Sequence, residues 1–185
     1  MTAVYIAGAV LLVLLVSVAL SYNRFVQLRN LVRDSWADVE TELRRRYDLI
    51  PNLVATVKGY AAHEQAVMDR VTETRAAAVA ATGPPDQQAR AEAPLVGALR
   101  GLLAVAENYP DLKASANFGE LQKELANTED RLQASRRFYN ANVRDYNRRV
   151  QSIPSNVIAG LFNFTEEKFF EVEEAVRAAP AVETA

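Results

Sequence analysis

The chain has 185 residues, half of them apolar, and a formal net charge of -2 built from 21 basic and 23 acidic side chains. That length holds one membrane segment and one domain of roughly 150 residues, with no room for a second globular domain, and the balance of charge lacks the basic excess of a nucleic-acid-binding surface. With no cysteine and a single histidine, His63, disulfide frameworks, thiolate chemistry and cysteine-based metal sites are excluded.

Residues 3–20 read AVYIAGAVLLVLLVSVAL, and no ionised side chain precedes Arg24. At about 1.5 Å per residue this run covers roughly 27 Å, close to the hydrocarbon thickness of about 30 Å. A buried core helix would carry a polar stripe, and here only Gly8 and Ser17 interrupt the apolar surface. A cleaved signal peptide would want a basic leader and a small-x-small site; instead Met1 and Thr2 precede the run and Ser21, Tyr22 and Asn23 follow it. Tyr5 and Tyr22 fall near its ends, where amphipathic rings suit the headgroup level. The segment 3–22 is therefore predicted to be a single-pass anchor in the cell membrane. Arg24, Arg29 and Arg33 lie just beyond it, so the positive-inside bias favours a cytoplasmic soluble domain.

From Phe25 onward, apolar or small residues recur at Leu28, Val32, Trp36, Val39, Leu43, Tyr47, Ile50, Val54, Val57 and Ala61, in steps of three and four. That is the period of a helix with one buried stripe. The stripe resumes at Glu64, Met68 and Val71 and runs to about Ala81, where Gly83 with Pro84 and Pro85 ends it, glycine suiting a left-handed C-terminal position. Asp86 is a predicted N-cap for a helix to about Asn108. Tyr109-Pro110-Asp111 makes the next break. Asn117 and Glu120 have capping-box spacing for a long helix to about Ser152, with Leu121, Leu125, Thr128, Leu132, Ser135, Tyr139, Val143 and Tyr146 on one face. Pro154 closes it, and Thr165, followed by Glu166 and Glu167, is predicted to cap a last short helix stapled by Phe164 and Phe169.

Pro51 divides two architectures. One is a kinked helix continuous from the membrane to about residue 81, with the carbonyl of Tyr47 unpaired, joined to a three-helix bundle. The other turns at residues 48–51 and gives segments near 24–48, 51–81, 86–108 and 115–152 that pack up and down as a four-helix bundle and cover every stripe. The second is the favoured expectation: an all-α fold, anchor first, bundle over 24–170, and a partly disordered tail over 171–185.

Three stretches then carry a resemblance. RRYDLIPNLV at 45–54, including Pro51 and Asn52, YPDLKA at 109–114, including Tyr109, Pro110 and Asp111, and PSNVIAGLFNF at 154–164, including Pro154, Ser155, Asn156, Phe162 and Phe164, together resemble the LemA family of bacterial membrane proteins over about 22–170. One departure is Asn163, where members commonly carry glycine. The resemblance implies one N-terminal membrane helix and an up-and-down bundle, with a loose link to membrane organisation that includes a magnetosome-membrane relative. It implies no reaction.

The residues themselves point the same way. His63-Glu64 lacks a second histidine at position 67, which is Val67, and a lone histidine cannot build paired di-iron motifs, so His63 reads as a surface residue and no metal or other cofactor is expected. Arg44, Arg45 and Arg46 point to different sides of a helix and read as solvated surface or ion pairs more than as a phosphate site. Phe162, Phe164, Phe169 and Phe170 should cap the bundle end or meet membrane or a partner. Pro51 fixes a break or kink, and the Asn156 amide should satisfy backbone groups in the turn after Pro154-Ser155. No nucleophile motif or glycine-rich loop appears, so the expected protein is no enzyme but a membrane-anchored interaction or scaffolding module. Its expected partners are the bilayer, an unidentified membrane or cytoplasmic protein, or a second copy, with no nucleic acid. A lipid-sensing stress or signalling component is one alternative. The other is an enzyme using Glu107, Asp111 or Glu129 inside the bundle.

Overall fold

The computed structural model describes residues 1–172, which are all-helical in their regular structure: α1 Thr2–Tyr60, α2 Gln65–Ala80, α3 Pro85–Glu107, α4 Pro110–Lys113, α5 Ala116–Gln151 and α6 Ser155–Leu161. The described residues form two compact units, one from Met1–Glu40 with Ala134–Lys168, the other from Thr41–Gln133 with residues 169–172.

In the first unit the apolar start of α1 is fully unburied, with Leu11, Leu12, Val13, Leu14 and Leu15 each more than half exposed. It is the one helix among the described residues long and apolar enough to cross a membrane. Farther along, Phe25, Val32 and Val39 bury one face of α1, and Tyr139, Val143 and Tyr146 bury one face of α5. Trp36 leans on Tyr139 at 5.2 Å between ring centroids. Residues 164–168 then run without helix, which corrects the helix expected from Thr165. The reason lies on α5. Asn147 accepts the Glu167 N–H at 2.9 Å and donates to the Glu167 carbonyl at 2.9 Å, while the Tyr139 hydroxyl donates to the Lys168 carbonyl at 2.6 Å. These contacts take the backbone groups that a helix would have used for itself.

In the second unit the end of α1, α2, α3 and the first half of α5 share a core that includes Ile50, Leu53, Val57, Val71, Leu95, Leu102 and Leu125. Here the favoured corner is corrected. No turn occurs at 48–51; α1 passes helically through Pro51 and ends at Tyr60, and the reversal falls at 61–64. The bundle still has four long helices in this unit, but the kinked-rod alternative was right about continuity and wrong about its extent to residue 81. Ala61 lies fourteen positions from both Tyr47 and Arg75, which touch, as an antiparallel pair requires.

Helix ends differ in detail from the sequence signals. Pro84 is the N-cap of α3, Pro85 opens it, and Asp86 sits in the first turn. Proline at that position loses no hydrogen bond, since its missing N–H would have been unpaired there anyway. No described glycine has positive φ, so Gly83 is not a left-handed cap; α2 ends instead on extended Ala81. α5 starts at Ala116, with Ser115 Oγ accepting the Phe118 N–H at 3.5 Å, and Asn117 lies inside the helix and donates to Thr56 at 3.2 Å. The break at Tyr109 holds, though Pro110 immediately opens the single turn α4. Asn163 adopts φ 55°, keeping the left-handed turn that glycine would make easily. Of the tail expected over 171–185, all but two residues lie outside those described.

Candidate functional site

Two clusters of chemically active side chains stand out, one in each unit. In the second, Arg46 of α1 is 1% exposed and Glu92 of α3 is fully buried. Arg46 bonds to Glu92 and, at 3.0 Å, to Glu129 of α5. The Tyr47 hydroxyl donates to Glu92, and Gln88 Nε2 donates to Glu92 and to the Tyr47 oxygen, each at 3.0 Å. Burial pushes the Tyr47 phenol above its usual value, with Arg46 and the Gln88 hydrogen bond opposing. Of the arginine triplet, Arg44 and Arg45 are exposed, as the surface alternative has it, while Arg46 takes the ion-pair alternative, buried against Glu92 and Glu129. A sequence signal existed: Leu43, Arg46, Tyr47 and Ile50 fall on one helical phase, as do Gln88, Glu92, Leu95 and Leu99. Each charge has partners, though Arg46 Nε is buried without a hydrogen bond, and the cluster ties three helices together.

The second cluster belongs to the first unit. Tyr22, at the C-terminal end of the apolar run, meets the Phe162 ring edge-on at 4.9 Å and Phe164 at 5.7 Å. Phe25 stacks on Phe164 at 4.7 Å and meets Tyr146 edge-on at 6.3 Å. Arginines cover this layer: Arg29 lies 5.1 Å from the Phe164 centroid and Arg149 lies 5.3 Å from that of Phe25. Such placements suit cation–π attraction. Burial and the Glu167 carboxylate raise the Tyr146 phenol, with Arg29 and Arg33 opposing.

Beside this layer, the uncharged end of α1 and the short α6 flank a groove of about 870 Å³. Leu14, Val18, Val157 and Ile158 line its apolar part, and Ser21 and Arg149 its polar end. A smaller recess of about 320 Å³ shares Arg149, Ser152 and Ser155 with it and adds Arg24, Arg148 and Asp145.

The residues singled out from sequence divide between these places. Pro154 and Ser155 line the groove, and Ser155 Oγ, not the exposed Asn156 amide, serves the turn by donating toward the Arg149 and Ser152 carbonyls at 2.7 and 2.9 Å. Asn156 contributes only its backbone N–H, to Ser152 at 2.7 Å. Phe164 is buried and Phe162 is partly exposed against Tyr22, while Phe169 and Phe170 belong to the other unit. Pro51 and Asn52 are exposed on α1; Tyr109 reaches Glu64 at 3.5 Å; Pro110, Asp111, Glu107 and His63 are exposed. The three carboxylates considered for catalysis are not brought together, and Glu129 is engaged by Arg46.

An unburied apolar helix of membrane length, a helical module and an arginine–aromatic layer at the end of the apolar run mark an all-helical protein with, among the described residues, one helix long and apolar enough to cross a membrane. The chain belongs to the LemA family, whose model matches residues 35–183. It is similar to magnetosome protein MamQ 2 of Paramagnetospirillum magneticum, 25% identical over 179 residues that cover 83% of this chain and 66% of that protein. It is also similar to magnetosome protein MamQ of Magnetospirillum gryphiswaldense, 23% identical over 190 residues covering 89% and 70%, and to protein LemA of Metamycoplasma hominis, 22% identical over 160 residues covering 84% and 71%. The chain thus spans just under two thirds of the length of the first of these relatives.

Proposed function

We propose that the chain is a membrane-tethered interaction module: the apolar start of α1 confines the helical part to a bilayer surface, where it binds a membrane or cytoplasmic protein or a second copy of itself. The observation that carries this reading is the exposure of the apolar run, none of whose residues is buried within the chain, which calls for lipid around it. Family membership supports it in general terms. The cytoplasmic side is favoured by Arg24, Arg29 and Arg33 beyond the run. A non-catalytic role accords with a core in which the buried carboxylate Glu92 is held by Arg46 and Tyr47 and not offered to a substrate.

The test is cross-linking in membranes with a photoreactive residue at exposed positions such as Arg131 or Arg137. One discrete adduct, abolished when the apolar run is removed, is expected. Only uncross-linked monomer at every position would contradict the proposal. Response to lipid is a second reading, favoured by the Arg29–Phe164 and Arg149–Phe25 contacts at the end of the anchor.

A further inference from the structure

α6 and its flanks are unusual for the surface of a water-soluble bundle. From Val150 to Thr165 no side chain is ionisable. Ile153, in the turn before α6, is 85% exposed, and Val157 and Leu161, one turn apart on α6, are 60% and 69% exposed. Ile153 and Val157 stand beside Leu14, Val18 and Leu20 of α1, which belong to the apolar run itself. Since Leu14 lies about 10 Å along the helix from Ser21, α6 reaches the depth at which interfacial helices rest between headgroups and acyl chains. The groove between them therefore opens onto hydrocarbon and not onto water.

Its polar end has the opposite character. The recess continuous with it gathers Arg24, Arg148 and Arg149 against one acid, Asp145, which already pairs with Arg148 at 3.7 Å. Arg149 donates to Ser21 at 3.3 Å, but among the described residues no carboxylate pairs with it, and its Nε is buried without a partner. A cavity that is apolar on the bilayer side and carries excess positive charge on the headgroup side matches a molecule with one acyl tail to lay down and one anion to present.

We propose that the groove and recess form a binding site for one anionic phospholipid, its acyl chain along Val18 and Val157 and its phosphate on Arg149. Arg149, backed by Arg24 and Arg148, favours a headgroup of net negative charge over a zwitterionic one, whose choline cation the same arginines repel. Ser155 holds the turn that brings α6 against α1, through its bonds to the Arg149 and Ser152 carbonyls. The proposal rests on the membrane-anchored reading and deepens it from contact with bulk bilayer to a defined lipid seat.

The test uses the full-length chain in mild detergent with equal amounts of dioleoylphosphatidylglycerol and dioleoylphosphatidylcholine, and counts retained lipids by native mass spectrometry. One phosphatidylglycerol per chain is expected, at about tenfold the occupancy of phosphatidylcholine, as one added charge-assisted contact would give. Arg149→Gln, which removes the anion contact, and Val157→Trp, which fills the groove from an exposed position, should each abolish that preference. Arg137→Gln, equal in charge change but exposed elsewhere on α5, should keep it. Equal retention of the two lipids by the parent, or an unchanged preference in both groove variants, would overturn the proposal. An alkaline carbonate wash of membranes from the same cells separates the two readings. Parent chain that stays in the pellet without lipid preference refutes the lipid seat alone, and parent chain released to the supernatant refutes the anchor and the seat together.

Discussion

Arg75 Nε donates a hydrogen bond of 2.7 Å to the carbonyl oxygen of Tyr47. Four residues later stands Pro51, which has no N–H with which to bond that carbonyl inside a helix. A side chain from α2 thus takes the place of the missing backbone bond, and α1 continues through the proline. A double-mutant cycle should reveal the relation. Arg75→Met should cost about 1.5–3 kcal/mol in the parent, as for a charged hydrogen bond, and clearly less in Pro51→Ala, where residue 51 regains its N–H. Equal costs in both backgrounds, measured by chemical denaturation in detergent, would count against this account.

The Arg46–Glu92 pair should behave asymmetrically. Arg46→Ala leaves Glu92 buried without its cation and should cost about 3–5 kcal/mol. Glu92→Ala should cost less, because Glu129 still engages Arg46 at 3.0 Å. Replacing both with methionine should recover much of the loss, as measured by the thermal midpoint of helical circular dichroism.

Tyr47 should make the fold sensitive to alkali. Its folded pKa is raised above 10.0 by burial, so the neutral phenol is favoured in the folded state. The stability this contributes is complete below the unfolded value of 10.0 and is lost as pH rises from there through the folded value. The thermal midpoint of the parent should therefore fall more steeply above pH 10 than that of Tyr47→Phe, and parallel curves would remove Tyr47 as the cause.

Asn147 should hold the non-helical segment after α6. Asn147→Ala removes two hydrogen bonds to Glu167 at 2.9 Å and should cost about 1–3 kcal/mol. Amide exchange at residues 164–168 should accelerate, while that of α3 stays unchanged.

The sequence stripe from Phe25 to Ala61 was legible because apolar phase survives a proline even when local propensity argues for a break. What decided the matter, Arg75 capping Tyr47, is a contact between helices that no local pattern contains. The burial of Arg46 was hidden for a different reason: three consecutive arginines look like surface, and only their phase against Leu43 and Ile50 tells which one points inward. Thr165 has good capping chemistry and no helix, because Asn147 and Tyr139 take its neighbours' backbone groups. In the groove, Pro154 and Ser155 were visible as turn formers, and in the aromatic layer beside it Phe164 was visible as a residue in need of cover. Arg149 was not, since Arg144, Arg148 and Arg149 are equivalent until α6 folds back beside α1.

The claim on which everything else depends is that residues 3–20 cross a bilayer and leave the helical part on the inner side. The chain has no cysteine, so single cysteines at Thr2 and at the exposed Lys123 report each side cleanly. In intact cells, or in spheroplasts where an outer membrane must first be opened, a membrane-impermeant maleimide should label Thr2→Cys directly and Lys123→Cys only after lysis. Labelling of both positions from the same side would contradict a spanning helix, and labelling of Lys123→Cys alone in unlysed cells would contradict the orientation.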